Sequence, residues 1–167
     1  TLKTYAGSLV IPSILGGAPV TTIGANAFKD YTGLTSITIP ASVTYIYAGA
    51  FINCTSLETV TFAPISQLVI IGISAFESCT SLKSITIPSS VISINNNAFF
   101  TCTRLTSIII PASVTSIGNG AFENATSLTT VTFASGSQLT FIDNHTFQNA
   151  TSLTSIVIPV SVEFIED

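Results

Sequence analysis

The sequence predicts a solenoid, a single chain wound into about six or seven stacked coils, and three observations carry that prediction. An eleven-residue phrase recurs as "LTSITIPASVT" from Leu34, "LKSITIPSSVI" from Leu82, "LTSIIIPASVT" from Leu105 and "LTSIVIPVSVE" from Leu153. The leucines that open the units, Leu34, Leu57, Leu82, Leu105, Leu128 and Leu153, stand 23, 25, 23, 23 and 25 residues apart, a period in the solenoid range. A second marker, the phenylalanine series Phe28, Phe51, Phe76, Phe99, Phe122 and Phe147, repeats the same steps. With a first unit opening near residue 9, the units start near 9, 34, 57, 82, 105, 128 and 153, in one domain over 1–167.

Each unit opens with a strand. In "LTSITIP" Leu34, Ile37 and Ile39 point inward while Ser36 and Thr38 point out, the period-2 signature of a pleated segment. Pro40 ends it, as Pro88, Pro111 and Pro159 end theirs, because proline cannot donate to a continuing ladder. A shorter strand follows, with inward pairs Val43/Ile46, Leu68/Ile71, Val91/Ile94, Val114/Ile117, Leu139/Ile142 and Val162/Ile165.

The next slot holds Gly24, Tyr47, Gly72, Asn95, Gly118 and Asp143. Gly, Asn and Asp tolerate positive φ, so a corner is expected there. A short helical turn carrying the phenylalanine then closes the coil. The two 25-residue units, "VTFAPISQLVII" from Val60 and "VTFASGSQLTFI" from Val131, lack the strand-ending proline. Their two extra residues are expected to swell the loop between the strands without disturbing the stack. The first unit has a longer excursion there, rich in Gly and Pro. Faithful repetition has a physical cause: one coil cannot bury its own apolar face, so each must serve as its neighbour's packing surface.

Composition narrows the function classes. Nearly half of the 167 residues are apolar (47%) and only 7% are charged. Ser and Thr make up roughly a quarter, where an ordinary domain places charged residues. The net charge of −4 and the scatter of Lys3, Lys29, Lys83 and Arg104 argue against nucleic-acid binding. No apolar run approaches the ~18 residues of a membrane span, so no membrane insertion is expected. The chain opens on Thr1 and stops within a unit at "SVEFIED", which reads as a piece of a longer protein.

At "LTSIIIPASVTSIGNGAFENATS" the pattern resembles the BspA-like, treponemal-type leucine-rich repeat, L-x-x-I-x-I-P-x-x-V-x-x-I-G-x-x-A-F-x-x-C. Residues 34–167 match almost throughout and 9–33 match with an insertion; Tyr31, Ala125 and Ala150 replace the Cys and Thr146 replaces the Ala. The resemblance implies a curved leucine-rich-repeat solenoid, a right-handed β-α superhelix with a parallel sheet on one face. It also implies an extracellular or cell-surface protein of host-associated bacteria or anaerobic protists, non-enzymatic, engaged in adhesion and protein binding. The partner so implied is a protein, such as a host extracellular-matrix or cell-surface protein. No ligand residues carry over from the family. A structural spacer is the alternative function.

The groups that could carry chemistry are few, and no catalytic, metal or cofactor site is assigned. Cys54, Cys79 and Cys102 share one slot in successive coils, about one strand spacing (~4.8 Å) apart, which suits a disulfide or metal ladder. Ala fills that slot in two other coils, so small buried thiols are the favoured reading. His145, the single histidine, lies near Asp143 and many serines, but aligns with Asn97 and Gly120 and reads as a loop residue. Sequons at Asn53, Asn124, Asn144 and Asn149 matter only in a eukaryotic secretory pathway.

Two surfaces remain as candidates. The outward positions of the long strands, Ser36, Thr38, Thr59, Thr61, Ser84, Thr86, Ser107, Ile109, Thr130 and Thr132, form an almost uncharged hydroxyl face. That face suits β-propensity and solubility, or ligand binding, with a carbohydrate- or ice-interacting array as an outside reading. Tyr45, Ile70, Phe141 and Phe164, on the short strands, mark an aromatic contact patch.

Overall fold

A computed structural model describes residues 5–166. Its fifteen strands, β1 to β15 along the chain, form two parallel sheets and one hairpin. The long strands β1 (Gly7–Val10), β5 (Leu34–Ile39), β7 (Thr59–Phe62), β9 (Ser84–Thr86), β11 (Ser107–Ile110) and β13 (Thr130–Phe133) make a six-stranded sheet in that order. The short strands β4 (Thr22–Ile23), β6 (Tyr45–Ile46), β8 (Ile70–Ile71), β10 (Ser93–Ile94), β12 (Ser116–Ile117), β14 (Phe141–Ile142) and β15 (Phe164–Ile165) make the second. Register follows the repeat: Ile37 pairs with Val60, Ile108 with Val131, Ile46 with Ile71.

The predicted alternation holds from Ser36 onward in β5 and throughout β11, where buried residues alternate with more open ones, and Pro40 and Pro111 stand directly after the last strand residue. Every inward short-strand residue from Val43 to Ile142 is buried. The first unit's excursion is a two-residue hairpin, β2 (Ile14–Leu15) with β3 (Ala18–Pro19). Gly16 (φ 60°) and Gly17 (φ 83°) supply the two left-handed residues that such a turn requires.

The spine is the phenylalanine stack. Successive rings from Phe28 to Phe147 lie 5.1, 5.1, 5.4, 5.3 and 5.7 Å apart between centroids, with planes within 6° of parallel. These spacings slightly exceed the strand separation, which gives the offset stacking that the ring quadrupole favours. Phe51, Phe76, Phe99 and Phe122 are fully buried; Phe28 and Phe147, at the ends, are half-buried.

Four expectations are corrected. The segment carrying the phenylalanine is not helical, and no helix occurs among the described residues, so the architecture is a β-solenoid rather than a β-α superhelix. The N–H groups of Ala27, Lys29 and Tyr31 bond locally to carbonyls three residues back, whereas those of Asn26, Phe28 and Asp30 donate to Ala48, Ala50 and Ile52 of the next coil. An α-helix would need all of these groups for itself. Neighbouring coils take every second one, and the segment becomes a ribbon of successive turns.

The positive-φ corner is also displaced. Left-handed residues occur two and six positions later, in the rows Asn26, Gly49, Ser74, Asn97, Gly120, His145 and Asp30, Asn53, Ser78, Thr101, Asn124, Asn149, all with φ between 53° and 63°. Gly72, in the predicted slot, is there for space: a Cβ on it would lie 2.5 Å from the Ile46 carbonyl oxygen.

The 25-residue units do more than swell a loop. β7 pairs with β5 over four residues but with β9 over only two, Thr59↔Ser84 and Val60↔Ile85. β7 reaches Phe62, and the N–H of Ala63 still bonds the Ile39 carbonyl, whereas β9 ends at Thr86, two residues before Pro88. The last unit departs too. Residues 153–159 join no ladder, and Ile165 is 62% exposed in a slot where Ile142 is 4% exposed. It has a neighbour on one side only, and burial here comes from neighbours.

Two stability predictions follow from this packing. Phe99→Ala removes a central ring and should cost ~3–5 kcal/mol, whereas Thr86→Ala on the open face should cost under ~1 kcal/mol, both read from denaturant unfolding. Ile65, a β-branched residue at φ 58° and 92% exposed, occupies the loop slot that Gly136 fills in the other 25-residue coil. Ile65→Gly should therefore raise stability by about 1 kcal/mol, and a fall instead would show that the side chain makes a stabilising contact.

Candidate functional site

The outward long-strand residues come together on one surface. Strand pairing sets Ser36 beside Thr59, Thr38 beside Thr61, Ser84 beside Ser107, Thr86 beside Ile109, and Ser107 and Ile109 beside Thr130 and Thr132. The row extends to Ser8, whose Oγ accepts a hydrogen bond from Ser36 Oγ at 2.7 Å. No acidic or basic side chain interrupts the ten positions. Glu58 and Lys83 stand just before the strands, bonded across coils at 2.9 Å, and Lys83 holds the Glu58 carboxyl below the usual carboxylate range.

The aromatic patch does not form as one surface. Tyr45 pairs with Ile70 and stacks on Tyr47 (4.3 Å between centroids), while Phe141 pairs with Phe164 at the other end. Ser93 and Ser116 separate the two groups, with Ser116 Oγ donating to Ser93 Oγ at 3.0 Å. Tyr45, Ile70 and Phe141 are half-buried, and Phe164 is exposed.

The cysteines are buried and tied to the backbone. Cys54, Cys79 and Cys102 donate their thiol protons to the carbonyls of Phe28, Phe51 and Phe76 in the preceding coils, at 3.1, 3.3 and 3.3 Å. Burial pushes Cys54 and Cys102 up to about 12, and Cys79 well above its usual value. They are neutral donors at physiological pH. His145 is exposed at a left-handed turn position and lines a shallow cleft of about 240 Å³ with Asp143, Gln148 and Glu166; no serine lines it.

One set of structural residues escaped the sequence reading. Ser42, Ser90, Ser113 and Ser161 donate to the carbonyls of Val20, Leu68, Val91 and Leu139 in the preceding coils, at 2.6–2.7 Å. The signal was present, since the second residue after the strand-ending proline is Ser in all four of these units. Thr146, standing where other coils have Ala, is buried and satisfied by donating to the Asp143 carbonyl.

A stack of parallel coils with two open sheets and an apolar spine defines a repeat scaffold of the leucine-rich class. A family model for the BspA type leucine-rich repeat region matches in six copies, over residues 4–83, 21–137 and 63–167, and the chain belongs to that family. Among solved structures, it is similar to a leucine-rich cell surface protein of Faecalibacterium prausnitzii A2-165 (38% identity, 97% of this chain and 44% of that one, TM-score 0.86). A leucine-rich repeat protein of Bacteroides ovatus is also similar (30%, 96% and 45%, TM-score 0.82), as is the leucine-rich repeat protein of T. pallidum (26%, 90% and 78%, TM-score 0.74). The chain thus spans less than half the length of the first relative. Comparison with curated protein sequences gives no match.

The thiols give a pH prediction. Burial raises Cys54 and Cys102 from 9.0, the ordinary thiol value, to about 12 in the folded chain, and it raises Cys79 in the same direction. The folded state therefore holds these protons longer, and their contribution is complete below pH ~9 and lost as pH rises toward ~12. Urea midpoints measured from pH 8 to 11 should fall, and a triple Cys→Ala variant at positions 54, 79 and 102 should fall less steeply.

Proposed function

We propose that this chain is a non-enzymatic protein-binding module of a cell-surface or secreted protein, presenting its six-stranded sheet to a protein partner such as a host matrix or cell-surface component. The observation that carries this reading is the uncharged hydroxyl face from Ser36 to Thr132, exposed from Thr59 onward and fixed on a buried core. Interfaces deplete charge at their centres, and this face meets that condition across all its strands. Membership in the BspA-type family and similarity to a protein described as cell-surface support the location.

Binding of the chain to immobilised matrix proteins and to intact host cells tests it. Ser107→Lys with Thr130→Lys places two charges at mid-face and should weaken binding at least ~10-fold. Ser93→Lys with Ser116→Lys, on the short-strand sheet, should leave it intact. Absence of binding to any of these surfaces, or equal binding by both variants, would favour a spacer.

A further inference from the structure

The long-strand sheet is not closed along its whole length. Beyond Val60↔Ile85 the strands β7 and β9 part, and a wedge of about 410 Å³ opens between them, lined by Thr59, Thr61, Phe62, Thr86 and Pro88. The other 25-residue coil repeats the arrangement. Between β13 and the unladdered segment 153–160 lies a cavity of about 370 Å³, with Thr132, Phe133, Val157 and Pro159 in its wall. Thr61, Phe62 and Pro88 correspond to Thr132, Phe133 and Pro159, each 71 residues on, which is three coils.

The lining chemistry is specific. Neither cavity has a charged side chain in its wall. Phe62 and Phe133 fill the inward slot that Ile39, Ile87 and Ile110 fill elsewhere. Those isoleucines are buried, whereas both phenylalanines are half-buried, because the parted strands uncover the ring. Thr61 and Thr86, both exposed, line the same wedge as Phe62. A cavity lined by an aromatic ring and by neutral groups that both donate and accept hydrogen bonds suits a compact polyhydroxylated ring. An extended peptide fits poorly in the first wedge, because the strands are still zipped at one end and no run of free edge crosses it. An ion finds no counter-charge.

We propose that the two wedges are binding sites for single neutral hexose units of a glycan. Each ring lies on Phe62 or Phe133, and its hydroxyls bond Thr61 and Thr86 in the first wedge and Thr132 in the second, where Val157 takes the place of Thr86. The sites are three strand steps apart, roughly 14 Å, so one oligosaccharide can reach both and gain avidity. This reading does not depend on the protein-binding role, although Thr61, Thr86 and Thr132 belong to the same face.

The test is titration of the ¹⁵N-labelled chain with neutral trisaccharides of glucose, galactose and mannose to about 10 mM, which reveals millimolar affinities. At least one should shift the amide resonances of Thr61, Phe62 and Thr86 together with those of Thr132 and Phe133. Thr61→Val with Thr86→Val keeps the β-branched shape and removes the hydroxyls. It should weaken the first site roughly fivefold or more while the second site's shifts persist, which also shows that the variant is folded. Absence of shifts with all three sugars, shifts confined to other residues, or unchanged binding by the variant would overturn the proposal. Shifts at these amides from extended peptides but not from sugars would overturn it as well.

Discussion

Every coil must present to the next the same atoms at the same height, and the rest of the structure depends on that constraint. The phenylalanine rings meet face to face only if each falls one coil above the last. The thiol and serine hydroxyls reach carbonyls of the preceding coil only at that register. The turn ribbon, whose alternate N–H groups point to the following coil, cannot satisfy its backbone alone. Length can therefore vary only where a coil leaves contact with its neighbours, and it does so there. The hairpin at Gly16–Gly17 and the loops around Ile65 and Gly136 all lie between the long strand and the short one.

What was legible in the sequence follows from the same constraint. Strand alternation, the prolines and the phenylalanine spine recur at the period because each depends on its counterpart one coil away. From sequence alone the ribbon reads as helical, because the deciding competition is not local. Residues such as those from Gly24 to Tyr31 suit a helical turn until the next coil's carbonyls claim their N–H groups. Its left-handed positions were hidden as well, since Ser74 and Thr101 share rows with the more telling Asn97 and Asn53. The serine ladder could have been found from its regular place after the proline. The parting of β7 from β9 could not, because it results from where one strand stops relative to another.

The candidate surfaces divide in the same way. The hydroxyl face was predictable, since its members alternate with buried residues along strands whose register the repeat dictates. The aromatic patch was not, because a shared slot does not make a shared surface when serines occupy the coils between. Tyr45 and Ile70 belong to one end of the stack, Phe141 and Phe164 to the other.

The near-absence of charge on the hydroxyl face bears on the kinetics of encounter. A surface without ionised groups creates little long-range field, so it does not steer a partner by attraction at a distance. Complexes on it would form at the ordinary orientation-limited rate, nearly indifferent to ionic strength, and their lifetime would rest on short-range fit. Such a surface suits a setting in which the two parties are already held close and the salt around them varies.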